Sequence, residues 1–306
     1  MNIMNRNRMT KGRVAFILFC VAIPILNWLI FYVYANLSSF AMAFTNKDGI
    51  FSLANFVRFF NEFRDPVSGT ELSLSFRNTF ITFAVILISY PFKVLVSYFI
   101  YKKIPFAGFY RIVFFIPMVI FSVALTLIIQ RILGIDGIIA QTVGKAEGLD
   151  YVPELLADER YANATVILHM LWMGFPGDLI IWGGTFARIP VELLESGRVD
   201  GATWWSEFTK IIVPLVWPTV ALQMVLMFCQ IFNSSGAVFL LTGGAYGTQT
   251  FNSWMYNQMY HITGKVHTSN AFNYMSAVGM STTIVAVTIS LIVRKFTDKV
   301  FNDVDF

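Results

Sequence analysis

Arg188-Ile-Pro-Val-Glu-Leu-Leu-Glu-Ser-Gly-Arg-Val-Asp-Gly-Ala-Thr-Trp-Trp-Ser-Glu-Phe-Thr-Lys-Ile-Ile-Val-Pro214 is a polar island between two long apolar runs. Pro190 can start a helix, because its missing N–H falls where a helix has no use for a donor. Leu193, Leu194 and Val199 are expected on one face of that helix and Glu192, Glu195 and Arg198 on another. Gly201-Ala202 should end it or allow a close backbone approach. Phe208, Ile211 and Ile212 then lead into the next apolar run, with Pro214 in its first turn. A short amphipathic helix of this kind has two natural environments, a groove on a partner protein and the plane of lipid headgroups.

The rest of the chain is apolar enough to fix the solvent. Of 306 residues, 56% are hydrophobic and 13% charged, against about 25% charged in ordinary soluble domains. Mean hydropathy is +0.64. These values exclude a disordered chain and argue for a polytopic membrane protein. Crossing a bilayer takes about 20 apolar residues. Six runs qualify: 14–35, 78–101, 112–130, 164–187, 212–241 and 272–293. All should be helical, since lipid offers backbone N–H and C=O groups no partners. The fifth is too long to cross upright and must tilt, break or project. The first follows Arg6, Arg8, Lys11 and Arg13 and precedes Ala41-Met42-Ala43, as a cleaved leader would, but it exceeds the 7–15 residues of a signal core. It is therefore expected to stay as a span.

Basic residues set the orientation. Segments 1–13, 102–111, 188–211 and 294–306 hold 13 Lys and Arg in 60 residues. Segments 36–77, 131–163 and 242–271 hold 8 in 105. Both termini and the 188–211 loop are thus expected in the cytoplasm. The net charge of +4 fits this loop bias and gives no reason to expect a nucleic-acid partner. Cys20 and Cys229 lie inside apolar runs, and His169, His261 and His267 are scattered, so neither a disulfide nor a metal site is expected.

With these features in place, the loop resembles a known family. Ile189-Pro190, Glu195-Ser196-Gly197, Asp200-Gly201-Ala202, Phe208, Ile211, Val213-Pro214 and Pro218 are similar to the signature loop of permeases in binding-protein-dependent ABC importers, nearest the carbohydrate-uptake branch. That loop usually reads Glu-Ala-Ala, then Asp-Gly-Ala, then Ile-x-Leu-Pro. Here Ser196 and Gly197 replace the alanines and Val213 the leucine. Weaker similarities extend outward: Ser75-Phe76-Arg77-Asn78-Thr79, Phe109-Tyr110-Arg111, Phe115-Ile116-Pro117, Leu171-Trp172 through Gly174, and Leu241-Thr242-Gly243-Gly244, where Ala245 replaces the usual Pro. The resemblance implies an all-α type I importer permease in a bacterial inner membrane. It makes the loop a coupling helix seated on a separate ATPase, with Glu195 and Gly201 closest to that contact and Ser196, Gly197, Asp200, Ala202 and Pro214 shaping it. It also implies a second homologous permease, an ATPase dimer that holds ATP and Mg, an extracytoplasmic solute-binding protein and a saccharide substrate. The chain has no G-x-x-x-x-G-K-[ST] phosphate loop. Hydrolysis is therefore assigned to the partner, and the chain itself is expected to be no enzyme and to bind no cofactor.

Polar residues within the spans mark candidate pathway positions. Gln223, Met227, Gln230 and Ser234 share one helical face by spacing, with Asn233 beside it. Such groups either line a cavity or hydrogen-bond between helices. By the resemblance, the stretch from Trp172 through Gly174 to Gly177 in the fourth span lines the opposite wall of the path, and the ionisable Asp178 follows it. Amides for hydroxyls and an aromatic face for the ring suit a sugar. Lys93 and Asp178 lie 8 and 9 residues from the expected cytoplasmic ends of their spans, roughly 12–14 Å deep. Lys93 can snorkel, whereas Asp178 is too short. Pairing with Lys93, a substrate contact and a protonated acid remain open for it.

The leading reading is a sugar-importer permease; the alternatives are a secondary, ion-coupled transporter and an ABC importer permease for a non-sugar solute. A secondary transporter should show inverted repeats with paired broken helices, and no second copy of any segment is evident. A membrane enzyme would need clustered His or carboxylates in the spans. The topology has a direct test. In a background with Cys20 and Cys229 changed to Ser, Asp150→Cys should react with an impermeant thiol reagent on intact cells and Arg198→Cys should not. Equal labelling of the two positions would end the six-span arrangement.

Overall fold

A computed structural model describes residues 11–46, 48–66, 68–134, 137–139, 141–142, 154–233, 236–260 and 271–300. Among them all regular structure is helical, apart from an isolated antiparallel bridge between Thr45 and Phe51. Five helices are long and apolar enough to cross a membrane: Phe16–Ala43, Ser68–Tyr101, Ala162–Phe186, Trp204–Cys229 and Ala271–Val300. A sixth exists if the bent pair Ala107–Val119 and Ser122–Leu133 is one span.

The chain divides into two compact units. The smaller takes in residues 1–61 and 266–281. It holds α1 (Lys11–Trp28), a π turn at Leu29–Tyr34, α2 (Ala35–Ala43) and α3 (Ala54–Glu62). The connection from α2 to α3 is built, not slack. Buried Asn55 donates to the carbonyls of Ala43 and Thr45 at 3.2 and 2.9 Å, and Phe44 stacks on Phe51. Arg58 lies 4.1 Å over the ring of Tyr274, and Asn273 donates to the Thr45 carbonyl. From sequence this stretch was only loop, because α3, at nine residues, is too short to cross a bilayer.

The larger unit, 62–265 and 282–306, is built around α4 (Ser68–Tyr101). Its 34 residues give about 51 Å of helix, longer than a hydrocarbon core of about 30 Å. The apolar run that begins at 78 thus marks only part of the helix. α5 (Ala107–Val119) and α6 (Ser122–Leu133) follow, then α7 (Ala162–Phe186), α8 (Val191–Val199), α9 (Val213–Cys229), α10 (Gly236–Leu241), α11 (Phe251–Tyr260) and α12 (Ala271–Val300), the last starting in the smaller unit. α4 packs mainly on α7. Their core runs from Tyr90, Val94 and Tyr98 across Trp182, Phe186 and Ile189 to Leu194, Phe208, Ile212 and Val216. One apolar cluster therefore joins two spans to the polar loop and to the start of α9.

Two expected spans differ. The run 112–130 is not one straight helix: α5 and α6 meet at 101°. Pro117 removes a backbone donor from the last turn of α5, and Ile120 is extended at φ −84°, ψ 138°. The run 212–241 breaks, as its length allowed. α9 stops at Cys229, and Gln230 takes φ −103°, ψ 12°. Asn233, whose short polar side chain competes for backbone hydrogen bonds, follows within the break.

Candidate functional site

A cavity of about 380 Å³ opens between α4, α7 and α9. α4 supplies Phe83, Ile86 and Tyr90, α7 supplies Asp178, and α9 with the turn after it supplies Gln223, Leu226, Met227, Gln230 and Asn233. The polar groups thus converge from three elements on an otherwise apolar wall, the usual chemistry of a small-molecule site.

Five of the expected pathway residues meet here: Asp178, Gln223, Met227, Gln230 and Asn233. The single helical face does not extend over all of them. Gln223 and Met227 lie on α9, whereas Gln230 caps it and Asn233 sits in the following turn, bonded by its backbone N–H to the Gln230 carbonyl at 2.9 Å. Asn233 Oδ1 accepts from Asn252 at 3.1 Å. Ser234 lies outside the described residues. Trp172, Gly174 and Gly177 are on α7 but do not line the cavity. Gly174 instead borders the lysine, as a Cβ there would stand 3.5 Å from Lys93 Nζ. Tyr90 was missed from sequence. It lines the cavity, and its hydroxyl is buried with no hydrogen-bond partner among the described residues. Its position three residues before Lys93, on the same helical face, was the available signal.

Lys93 Nζ lies 2.8 Å from Asp178 Oδ2, with side-chain exposures of 8% and 17%. The pair ties α4 to α7 beside the cavity. Asp178 also lines that cavity, so pairing and a substrate contact are both open to one carboxylate.

At the loop end, α8 is preceded by Pro190 at φ −57°, ψ 129°. The proline is therefore the flanking residue and not the first helical one. The helix closes on Asp200, with Gly201 at φ +77°. Ala202 N–H donates to the Gly197 carbonyl at 2.9 Å and Gly201 N–H to that of Arg198 at 3.0 Å. Those two bonds make a Schellman ending, which needs a residue of positive φ just past the cap. Asp-Gly-Ala is thus a helix stop written in sequence. Thr203 Oγ1 then accepts from Ser206 N–H, starting a short turn at Trp204–Ser206. A wider π turn, Glu207–Ile212, leads into α9, with Pro214 in its first turn.

The buried face of α8 differs from the expected one. Leu194 and Gly197 are buried, whereas Leu193 is exposed and Val199 is 88% exposed. A count of apolar side chains cannot see Gly197, which contributes by having none: a Cβ there would come within 2.6 Å of Ile211 Cδ1. The close approach of α8 to the π turn sets the rotation of the helix. Val191, Glu195 and Val199, four residues apart, then share the exposed face, and Ser196 is exposed beside them. A buried carboxylate, Glu207, also sits behind the loop against Tyr98, Lys102 and Arg198. Sequence reading passed over it as one more loop charge.

Residues 94–302 match the family of binding-protein-dependent transport system inner membrane components. The chain belongs to this family. The permease is 26% identical over 199 residues to the osmoprotective compounds uptake permease protein GgtC of Synechocystis sp., covering 62% of this chain and 66% of that one. It is 26% identical over 257 residues to the galactooligosaccharides transport system permease protein GanP of Bacillus subtilis, covering 78% and 61%. It is 22% identical over 278 residues to the multiple sugar-binding transport system permease protein MsmF of Streptococcus mutans, covering 90% and 93%. The matched part is therefore just under two thirds of GgtC and GanP but nearly all of MsmF. In structure the permease superposes on a chain of a bacterial alginate ABC transporter in complex with alginate pentasaccharide-bound periplasmic protein. The TM-score is 0.76 at 21% identity, over 94% of this chain and 96% of that one. The shared fold is an all-helical, multi-pass membrane permease.

The ion pair yields a double-variant test. Removing one partner of a buried pair is far more costly than removing both, and a lone charge at membrane depth costs about 2.5–3.5 kcal/mol on insertion scales. Asp178→Asn alone should lower the yield of folded permease several-fold, and adding Lys93→Met should restore most of it. Wild-type yield for Asp178→Asn, measured by fluorescence-detected size exclusion, would show that the pair contributes nothing to folding.

Proposed function

We propose that this permease is one of two membrane halves of an ATP-driven importer that takes up a sugar or oligosaccharide delivered by an extracytoplasmic binding protein. The carrying observation is the loop. One face of α8 is locked to the core of α4, α7 and α9 through Leu194 and Gly197, and the other offers Val191, Glu195 and Val199 to a partner. A helix so held transmits a push to the spans, and two valines around a carboxylate suit a groove with apolar walls and a basic contact. The partner is a cytoplasmic ATPase dimer, which supplies ATP and Mg. The absence of a phosphate loop from this chain fits that division of labour. By the same reading the loop end of the bundle and both termini face the cytoplasm, and a second, related permease completes the path.

The saccharide rests on the cavity and on the relatives. Gln223, Gln230 and Asn233 provide amides, Asp178 a carboxylate, and Phe83 and Tyr90 aromatic rings. Three of the relatives are named for galactooligosaccharides, multiple sugars and maltodextrin. GgtC, named for osmoprotective compounds, supplies the second reading, a permease for a small polar osmolyte.

Purification of the tagged chain from its host membrane should bring down an ATPase, a second permease and a binding protein. Glu195→Lys should release the ATPase or abolish transport while the permease stays inserted. Gly201→Val should do the same, because a β-branched residue resists φ +77°. Retention of both assembly and uptake in the two variants would refute the coupling role.

The cavity has its own measurement. Gln223→Ala and Gln230→Ala should each reduce uptake about tenfold, the effect of one or two lost hydrogen bonds, at unchanged complex yield. Uptake of an osmolyte but of no sugar by the wild type would favour the second reading.

A further inference from the structure

Glu207 is 3% exposed in its side chain, the deepest carboxylate described, and it sits outside the cavity and off the exposed face of α8. Its partners come from different parts of the chain. Lys102, just past the end of α4, reaches one oxygen at 2.5 Å and the other at 2.6 Å. Tyr98, on the last turns of α4, donates its hydroxyl at 3.0 Å. Arg198, on the last turn of α8, has Nε 3.8 Å away with its side chain 58% exposed. Glu207 itself opens the π turn that starts the α9 segment. Such turns give up helical regularity and recur at functional sites.

A carboxylate out of water must keep its partners or carry an uncompensated charge. The two inner contacts, Tyr98 and Lys102, are short and shielded. The outer one, to Arg198, is longer and open to solvent, and it is the ionic contact that reaches α8. Apolar packing across the same junction, Leu194 with Phe208 and Tyr98, resists compression but does little against sliding. The ionic knot supplies the directional part.

We infer that Glu207 is a positioning residue, a latch that makes α8, the start of α9 and the loop end of α4 move as one body. The importance of this for transport rests on the proposed docking of an ATPase at α8. A push at α8 then arrives at Tyr90 and Lys93, two to three turns further along α4, where the cavity lies. Without the latch α8 slips, and hydrolysis runs without moving the spans.

Two measurements test this, one of them independent of any ATPase. Nitroxide labels at Val199→Cys and Lys103→Cys, with Cys20 and Cys229 replaced by Ser, report the distance between α8 and the end of α4 in the purified permease. Glu207→Gln keeps the size of the side chain and an acceptor for Tyr98 but removes the charge. It should at least double the width of the distance distribution at unchanged yield, and Glu207→Asp should recover part of the narrowing. In the reconstituted importer, Glu207→Gln and Lys102→Met should each cut sugar moved per ATP at least fivefold while basal hydrolysis persists. The double variant should be no worse than either alone, since both break one latch. An unchanged distribution in Glu207→Gln overturns the latch whatever the partner. Broadening with no ATPase recovered from the wild type supports the latch and sinks the docking reading instead. Broadening with wild-type coupling shows the knot to be structural only and overturns its role in transport.

Discussion

A charge that leaves water must leave with its counter-charge, and the larger unit is organised by that rule. Lys93 on α4 and Lys102 just past its end are both drawn out of bulk solvent, and each meets an acid from another part of the chain. Lys93 takes Asp178 of α7 beside the cavity, and Lys102 takes Glu207 at the start of the α9 segment. The lysines are nine residues apart, about 14 Å along a helix. α4 is thus pinned at two heights by contacts that have direction, while the apolar cluster between them supplies most of the contact area but little orientation. Dispersion and burial hold the helices together. The ion pairs add directional contacts at two points of that packing.

The cavity lies beside one of these pairs. With α4 and α7 drawn together at Lys93 and Asp178, α9 contributes its polar residues from the far side, and its early stop delivers Gln230 and Asn233 from a turn. A continuous helix would have kept Gln230 on the face of Gln223 but turned Asn233 about 80° away from it. The break lets them converge on one space. Backbone freed from helical bonding at membrane depth is tolerated where it lines a cavity or is covered by protein.

Much of this was legible beforehand. Length and apolarity marked the spans, and the run Glu195 to Pro214 marked the family. The depths of Lys93 and Asp178 allowed a pair between two particular helices. Other features left weaker traces. Length gave no reason to expect a break in the run 112–130, so the 101° bend after Pro117 was not foreseen. Hydropathy measures where a segment prefers to be and says nothing of its path there. The face of α8 was misread because a buried glycine adds no apolar side chain to count. Glu207 was passed over because burial of a loop carboxylate depends on partners far away in sequence, at 98 and 102. Such long-range pairing has no local pattern.

The contact between Gly197 and Ile211 also bears on how such permeases can be recombined. The helix and the π turn share one volume, filled by the isoleucine because residue 197 has no side chain. A loop helix borrowed from a relative with alanine at this position would seat on the present core only after Ile211 swings its terminal methyl aside. It would otherwise dock rotated, with a different edge turned outward. The interchangeable module is therefore the whole segment from Pro190 to Pro214. A chimera cut between helix and turn would inherit one half of a fitted joint.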